Sequence, residues 1–288
     1  MSPFVNEAYT DFSLPENAAA ARNALAKVRS ELGREYDLLV AGERRKSTAK
    51  LESLNPSRPS EVVGIHQKAS EQDARDAVEA AYAYFPEWSQ VPTLQRARLL
   101  LRTAGILWER KQEFDAWLVV EAGKTWAEAD ADVSEAIDFC GYYAREALKL
   151  ADPEPLIQLP GERDELVYLP LGVGIIIPPW NFPLAILAGM TAAALVTGNT
   201  VVIKPSSDTP TIAAKFAEAL LAAGIPPRSF SLLTGSGAAI GDVLVSHPKT
   251  RFVSFTGSRD VGLHINELAA KTPKGQLWIK RVIAEMGG

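Results

Sequence analysis

The chain is 288 residues long, 47% hydrophobic and 23% charged, an ordinary globular composition with length for one large core or two smaller ones. A formal net charge of -5, with no Lys/Arg cluster, argues against nucleic acid or an anionic membrane surface as a partner. The single cysteine, Cys140, excludes an internal disulfide and a multi-thiolate metal site, and the three histidines, His66, His247 and His264, lack ligand-like spacing, so no metal is expected.

The opening MSPFVNEAYTDFSLPENAAA carries early acids and no basic stretch before an apolar core. It therefore does not read as a signal peptide and predicts a cytoplasmic protein. Strand-like pieces at 37–40 and 62–66 precede helical spacing over 73–84, 94–108 and 127–148. The third of these helices gathers Glu128, Asp130, Asp132, Glu135 and Asp138 near its start and ends near Lys149, which suits the helix dipole. Residues 1–152 thus form a mostly helical first part. Prolines and alternation across 153–170 predict a hairpin or extended arm leaving the compact body.

Beyond it, β-branched apolar runs at 172–177, 200–203, 230–233, 251–255 and 277–283 alternate with helical segments. That alternation predicts an α/β fold with a doubly wound parallel sheet over 171–288, whose ligand sits at the carboxyl ends of the strands. The uncharged stretch through 171–196 is no membrane span. Pro178, Pro179, Asn181 and Pro183 interrupt it, and 184–196 falls short of the roughly 20 residues a spanning helix needs. The sequence stops at Ala284-Glu285-Met286-Gly287-Gly288, directly after a strand and before any closing helix, as a truncated chain would.

Four strand-end segments carry chemistry. Ile177-Pro178-Pro179-Trp180-Asn181-Phe182-Pro183 packs constrained and aromatic residues into a turn opening a helix. There Pro183 can be a first-turn proline and Asn181 a cap, or the Asn181 amide can donate to an oxyanion. Lys204-Pro205-Ser206-Ser207 ends the next strand; its lysine is placed to hold a ribose or phosphate, or is a solvated lysine before an ordinary cap. Thr234-Gly235-Ser236-Gly237 and Thr256-Gly257-Ser258-Arg259 let backbone approach an anion, as plain turns also would. Gly257 to Gly262 has P-loop glycine spacing, but Leu263 and His264 replace the required Lys and Ser/Thr, which rejects a Walker A site. Gly235-Ser236-Gly237-Ala238-Ala239-Ile240 lacks the third glycine of the common dinucleotide fingerprint, with Gly241 one step away, so a dinucleotide needs a variant binding mode.

Together, Pro179-Trp180-Asn181-Phe182-Pro183, Lys204-Pro205-Ser206, Phe255-Thr256-Gly257-Ser258 and Glu285-Met286-Gly287-Gly288 resemble the aldehyde dehydrogenase superfamily in order and approximate spacing, over essentially the whole chain. The opening Phe4-Val5-Asn6-Glu7 and the segment from Glu121 through Phe139 are similar to the bacterial stand-alone 1-pyrroline-5-carboxylate dehydrogenases. The resemblance implies a cysteine thiolate attacking the aldehyde, hydride transfer to NAD, and hydrolysis of the resulting thioester. It also implies a homo-oligomeric parent using 153–170 as its arm, with a small aldehyde, glutamate γ-semialdehyde, as substrate in proline breakdown.

By the same resemblance, Asn181 would donate to the oxyanion and Glu285 would activate the hydrolytic water. Lys204, Ser206 and Ser207 would hold the adenosine end of the cofactor, and Gly237, Gly241, Thr256, Gly257 and Ser258 its pyrophosphate side. Ile177, Pro178, Trp180 and Phe255 would line its cleft. Phe182 would line the aldehyde tunnel and Glu135 would stand near the tunnel mouth.

Two departures qualify the resemblance. Ser207 stands where many NAD-preferring relatives carry Glu, so nothing repels a 2′-phosphate at that position and NADP use stays open. The family's nucleophilic cysteine follows the Glu-Met-Gly-Gly segment and is absent from these 288 residues. Cys140 sits in a helical pattern as a structural thiol. The isolated chain is accordingly expected to be catalytically inactive and prone to aggregation. A non-catalytic nucleotide-binding or interaction protein, and a dehydrogenase of another semialdehyde, are the competing readings.

Overall fold

A computed structural model describes residues 3–153 and 155–287; Gly288 of the terminal motif and residue 154 of the expected arm lie outside them. Helix α1 (Pro15–Arg29) starts with a proline in its first turn, where a missing N–H costs nothing. Five short strands follow: β1 (Arg34–Tyr36), β2 (Leu38–Val40), β3 (Glu43–Arg45), β4 (Lys50–Asn55) and β5 (Arg58–Gln67). Strand β5 pairs parallel with β1 and antiparallel with β4 to make a small sheet.

Four helices come next, α2 (Glu71–Ser89), α3 (Thr93–Glu109), α4 (Lys111–Ala122) and α5 (Trp126–Ala151). Helices α2 and α5 open with reciprocal capping boxes, Ser70 with Asp73 and Thr125 with Glu128, which satisfy otherwise orphaned N–H groups. Gly123 takes φ 67° and ends α4. The alternating unit then runs β6 (Val173–Ile177), α6 (Ala185–Val196), β7 (Thr200–Ile203), α7 (Pro210–Ala222) and β8 (Phe230–Leu232). A π turn (Gly237–Gly241) leads into α8 (Asp242–Ser246), β9 (Thr250–Thr256), α9 (Arg259–Ala270) and β10 (Arg281–Glu285).

The main sheet has the order β10-β9-β6-β7-β8-β2-β3, with its first five strands parallel and β2 and β3 added antiparallel. The expected doubly wound α/β sheet is therefore present. From β6 the chain moves outward through β7 and β8, then returns to place β9 and β10 on the other side of β6. That reversal opens a crevice at the carboxyl ends of β6 and β9, where an open α/β sheet binds ligands.

The parallel strands are covered on both faces. Ile176 joins one apolar layer with Trp88, Phe114, Trp117 and Phe216, whereas Val173 and Ile175 point into a second with Val78, Leu244 and Ile265. Burial on both faces explains why these strands read as unbroken β-branched runs rather than alternating ones. Gly174 is required in β6 because a Cβ there would lie 2.1 Å from Cζ of Phe252 on the neighbouring strand.

Three differences from the sequence reading have clear causes. Helices α1 and α4 lie outside the segments of helical spacing: α4 buries Phe114, Ala116, Trp117, Leu118 and Val120 almost all round, so it shows no amphipathic stripe. The last strand starts at Arg281 rather than 277, because Trp278 turns back to donate its indole N–H to the Thr250 carbonyl (3.0 Å) and lies under Arg251. In the expected arm, residues 155–170 form no strand ladder. The chain reverses through the Glu162 N–H to Leu159 carbonyl bond, and the Gln158 amide both accepts from the Asp164 N–H (3.0 Å) and donates to its carbonyl (2.8 Å). Two extended segments without a third strand or covering face gain too little burial to form a stable ladder.

Candidate active site

The carboxyl ends of the parallel strands are level. Ile177 pairs with Phe255, Phe255 with Ala284 and Ile176 with Ile203, so Lys204, Ile177, Phe255 and Ala284 form one row along the sheet edge. Above that row lies a cleft of about 960 Å³. The turn after β6 supplies Ile177, Pro178, Trp180 and Asn181 to its wall, and the segment after β7 supplies Lys204, Ser206 and Ser207. Gly237 and Gly241 come from the π turn, Phe255, Thr256, Gly257 and Ser258 from the end of β9, and Glu285 from the end of β10. Every residue expected to hold the cofactor lies here, together with both residues expected to act on the aldehyde.

Phe182 and Glu135 are not in this cleft. The Phe182 ring lies 4.0 Å from the Lys124 ammonium, a cation–π contact. Glu135 is exposed on α5; desolvation, then Asp132 and Asp138, hold its carboxyl above the usual range, with Lys124 opposing. The two share a neighbourhood around Lys124 beside the Asn181 turn.

The alternative reading of Asn181 as a helix cap is not what the structure shows. Helix α6 receives its cap from another element: Asp132 on α5 accepts the Ala185 N–H at 2.6 Å, and the same carboxylate pairs with Lys124 at 2.9 Å. The Asn181 side-chain oxygen Oδ1 accepts the neighbouring Phe182 N–H at 3.1 Å. Its NH₂ end, on the residue that lines the cleft, can then donate to a ligand. Asp132 and Lys124 are functional-site supports that sequence reasoning missed. The signal in the sequence is the acid-rich start of α5, which complementing the helix dipole explains equally well.

Lys204 is 6% exposed, and among the described residues its ammonium makes one hydrogen bond, to the Pro205 carbonyl at 3.2 Å. Burial pushes this ammonium below the ordinary lysine range, and among the described residues no carboxylate lies within ion-pair distance of it. A buried cation with two unused N–H donors at the edge of a cleft fits a ligand rich in hydroxyl groups. Ser207 donates to the Gly235 carbonyl (3.2 Å), tying the β7 and β8 ends together.

Helix α9 points its N-terminus at the cleft behind Gly257, with Ser258 as the cap whose hydroxyl accepts the Val261 N–H. Space for an anion exists beside it: a Cβ on Gly237 or Gly241 would meet nothing within 4 Å. Free first-turn N–H groups, the positive helix end and open backbone suit a pyrophosphate. Sequence reasoning missed Asp208, Asp242 and His264, which also line the cleft; His264 Nε2 lies 2.9 Å from an Asp242 carboxylate oxygen.

Glu285 closes the β10 side, its carboxylate accepting the Gly287 N–H at 3.1 Å while its carbonyl accepts the Gly257 N–H. Strand β10 is two strands from β6, so the bases of the Asn181 and Glu285 segments are separated by roughly 10 Å. That leaves room for a reacting carbon between an oxyanion donor and a water-activating carboxylate. No thiol from this chain reaches the cleft. Cys140 is buried within α5, where desolvation pushes its thiol up to about 12. Among the described residues no cluster of His, Cys, Asp and Glu forms a metal site, and no helix is long and apolar enough to cross a membrane.

Comparison with known proteins places these features in a family. The profile of the "Aldehyde dehydrogenase family" matches residues 43–288. The 1-pyrroline-5-carboxylate dehydrogenase of Geobacillus thermodenitrificans is 54% identical over the entire chain, which covers 56% of that relative. Among solved structures, 1-pyrroline-5-carboxylate dehydrogenase from Thermus with bound NAD superposes with a TM-score of 0.97 at 46% identity, over 100% of this chain and 56% of its own. Proline utilization A from Bdellovibrio bacteriovorus superposes at 0.94 with 39% identity, over 99% of this chain and 30% of its own. The chain thus spans about half the length of the curated relatives it matches. With a matching profile over most of its length and the expected residues gathered in one cleft at the switch point of the sheet, the chain belongs to the aldehyde dehydrogenase family.

Proposed function

We propose that this chain is the dinucleotide-binding portion of an enzyme that oxidises glutamate γ-semialdehyde, the open form of 1-pyrroline-5-carboxylate, to glutamate in proline degradation. The reaction converts aldehyde, water and NAD⁺ to carboxylate, NADH and two protons. When bound, NAD supplies the hydride acceptor. The observation that carries the reading is the convergence of Asn181, Lys204, Ser258 and Glu285, which are far apart in sequence, on one cleft. The similarity to 1-pyrroline-5-carboxylate dehydrogenases over the whole chain supports the choice of aldehyde.

Each residue has a task set by its surroundings. The Lys204 ammonium holds ribose hydroxyls, and the α9 N-terminus behind Ser258 holds the pyrophosphate. Asn181 donates its NH₂ to the oxygen that gains charge when the aldehyde carbon is attacked. Glu285 takes a proton from the water that completes the acid. The attacking thiolate comes from outside residues 1–288, because the chain's one thiol is buried away from the cleft. Phe182 and Glu135 serve the aldehyde rather than the cofactor, on the side where Lys124 sits. Segments 1–152 and 171–288 work as one cofactor domain, and 153–170 is its oligomerisation arm, a role supported by the exposed Ile157, Val167 and Leu169.

Calorimetric titration of the purified chain with NAD, beside a Lys204→Ala variant, tests the reading. Saturable binding, weakened roughly 10-fold or more by the substitution, is the expected result, since a charged hydrogen bond contributes about 1.5–3 kcal/mol. A cooperatively folded chain that binds no NAD would sink the assignment of the cofactor site to these residues.

A further inference from the structure

Far from the cleft, the first residues of the chain are pinned by charged side chains. Residues 3–11 form neither helix nor strand and run as a strap along α5. Asp138 of α5 accepts the Asn6 side-chain amide and the Glu7 N–H, each at 2.7 Å. Two turns earlier, Asp130 accepts the Thr10 N–H at 2.9 Å and also the Thr10 hydroxyl. Lys111 of α4 completes a clasp, donating to the Ala8 carbonyl at 2.9 Å and pairing with Asp130 at 3.0 Å. Lys111 and Asp130 are both buried.

Next to this clasp is a carboxylate that it does not use. Asp115 of α4 is buried and lines a cavity of about 10 Å³, room for about one water, together with Phe12 and Trp126, whose rings are 5.6 Å apart. Among the described residues, neither Asp115 oxygen nor the Gln112 side-chain oxygen in the same cavity has a hydrogen-bond partner. The charges that act on Asp115 are Asp130 and Asp132 of α5 and Lys111 of its own helix; Glu7 of the strap lies 3.7 Å from Lys111. Helix α1 contributes only Ala21 and Leu25 to the cavity wall. Asp132 is already matched by Lys124. An ionised Asp115 would therefore set two buried carboxylates against one ammonium, whereas a protonated Asp115 leaves Lys111 and Asp130 as a matched pair.

We infer that the Asp115 cavity is a proton-binding site that latches the N-terminal strap: with the proton in place the Lys111–Asp130 clasp holds residues 6–10, and its loss opens the clasp locally, letting water reach both carboxylates. The proton passes from the Asp115 carboxyl to solvent as the strap lifts. Desolvation, then Asp130, pushes the Asp115 carboxyl up to about 8 while the strap is closed, and water returns it to the ordinary carboxylate range when the strap is open. The latch is thus fully set below about pH 4 and weakens steadily up to about pH 8. Above that, Asp115 is ionised in both states and opening no longer depends on its proton.

Hydrogen exchange of the 288-residue chain tests this at the Thr10 amide, which is bonded to Asp130. Rates from pH 5 to pH 9 are corrected for the intrinsic pH dependence of exchange, and the buried amides of β7, which exchange by unfolding of the whole molecule, are the reference. Protection at Thr10 should lie at least about 10-fold below that of β7, because the strap opens without unfolding. It should also fall by about 10-fold or more between pH 5 and pH 8 and then level off. In Asp115→Asn the fall should shrink to less than about 3-fold, and Asp115→Ala provides a second chain without the titrating group. Equal protection at Thr10 and β7 would show that the strap opens only with the whole fold. Protection at Thr10 that does not change with pH, or that falls as steeply in the folded variants, would show that Asp115 does not control the strap. Any of these three results overturns the inference.

Discussion

Asp115 shows how one buried group makes stability depend on pH. It lies in α4 at 5% exposure, and neither carboxylate oxygen has a hydrogen-bond partner among the described residues. Desolvation, reinforced by Asp130 and opposed by Lys111, pushes its carboxyl from 3.8 to about 8. Its folded pKa is therefore above its unfolded one, so folding holds a proton that the unfolded chain releases. The associated stability is complete below pH 4 and is lost as pH rises to 8. Replacing Asp115 by Asn removes the titration. Urea unfolding should show Asp115→Asn gaining on the unsubstituted chain by up to roughly 3 kcal/mol between pH 5 and pH 8. A difference between the two chains that does not change with pH would show that Asp115 titrates normally.

Among the elements, α6 illustrates how a helix can be capped by a distant part of the chain. Its N-terminus carries no side-chain cap of its own, and Asp132 reaches across from α5 to accept the Ala185 N–H. Because Asp132 also binds Lys124, and Lys124 lies on the Phe182 ring, one carboxylate fixes the helix side of the turn that presents Asn181. Asp132 is fully buried and Lys124 nearly so, so Asp132→Ala leaves an uncompensated buried ammonium. The expected loss is about 3–5 kcal/mol in urea unfolding. A loss below 1 kcal/mol would mean that the pair is replaceable by water and that the turn holds itself.

For the molecule as a whole, the two edges of the main sheet differ in character. Strand β3 ends one side with Glu43, Arg44 and Arg45, charges that discourage strand addition. The other side ends at β10, with Ile283 exposed on the strand and Leu277 and Ile279 exposed at 83% and 80% just before it. An apolar, unpaired edge of this kind binds copies of itself or another covering surface. Light scattering at concentrations on the order of tens of micromolar should therefore show self-association of the chain, reduced by combining Leu277→Lys with Ile279→Lys. A monodisperse monomer, unaffected by the pair of substitutions, would show that this edge is already blunted.

The sequence by itself determined the α/β class, the parallel strands to within a few residues and the small set of residues that end them. Those features are local: doubly covered strands must be β-branched runs such as Thr200–Ile203, and residues that meet a ligand at strand ends fall just after such runs. The same locality hid α4, whose nearly complete burial erases helical periodicity, and joined 277–280 to a strand they do not extend. Only the tertiary structure showed that β2 and β3 from the helical first part complete the main sheet, and that Phe182 and Glu135 belong with Lys124 rather than with the cofactor cleft. It alone showed that Asp132, not Asn181, caps α6. Each of these depends on which distant group satisfies a buried charge or an orphaned N–H, and satisfaction of that kind is settled by proximity in space, which local spacing along the chain does not encode.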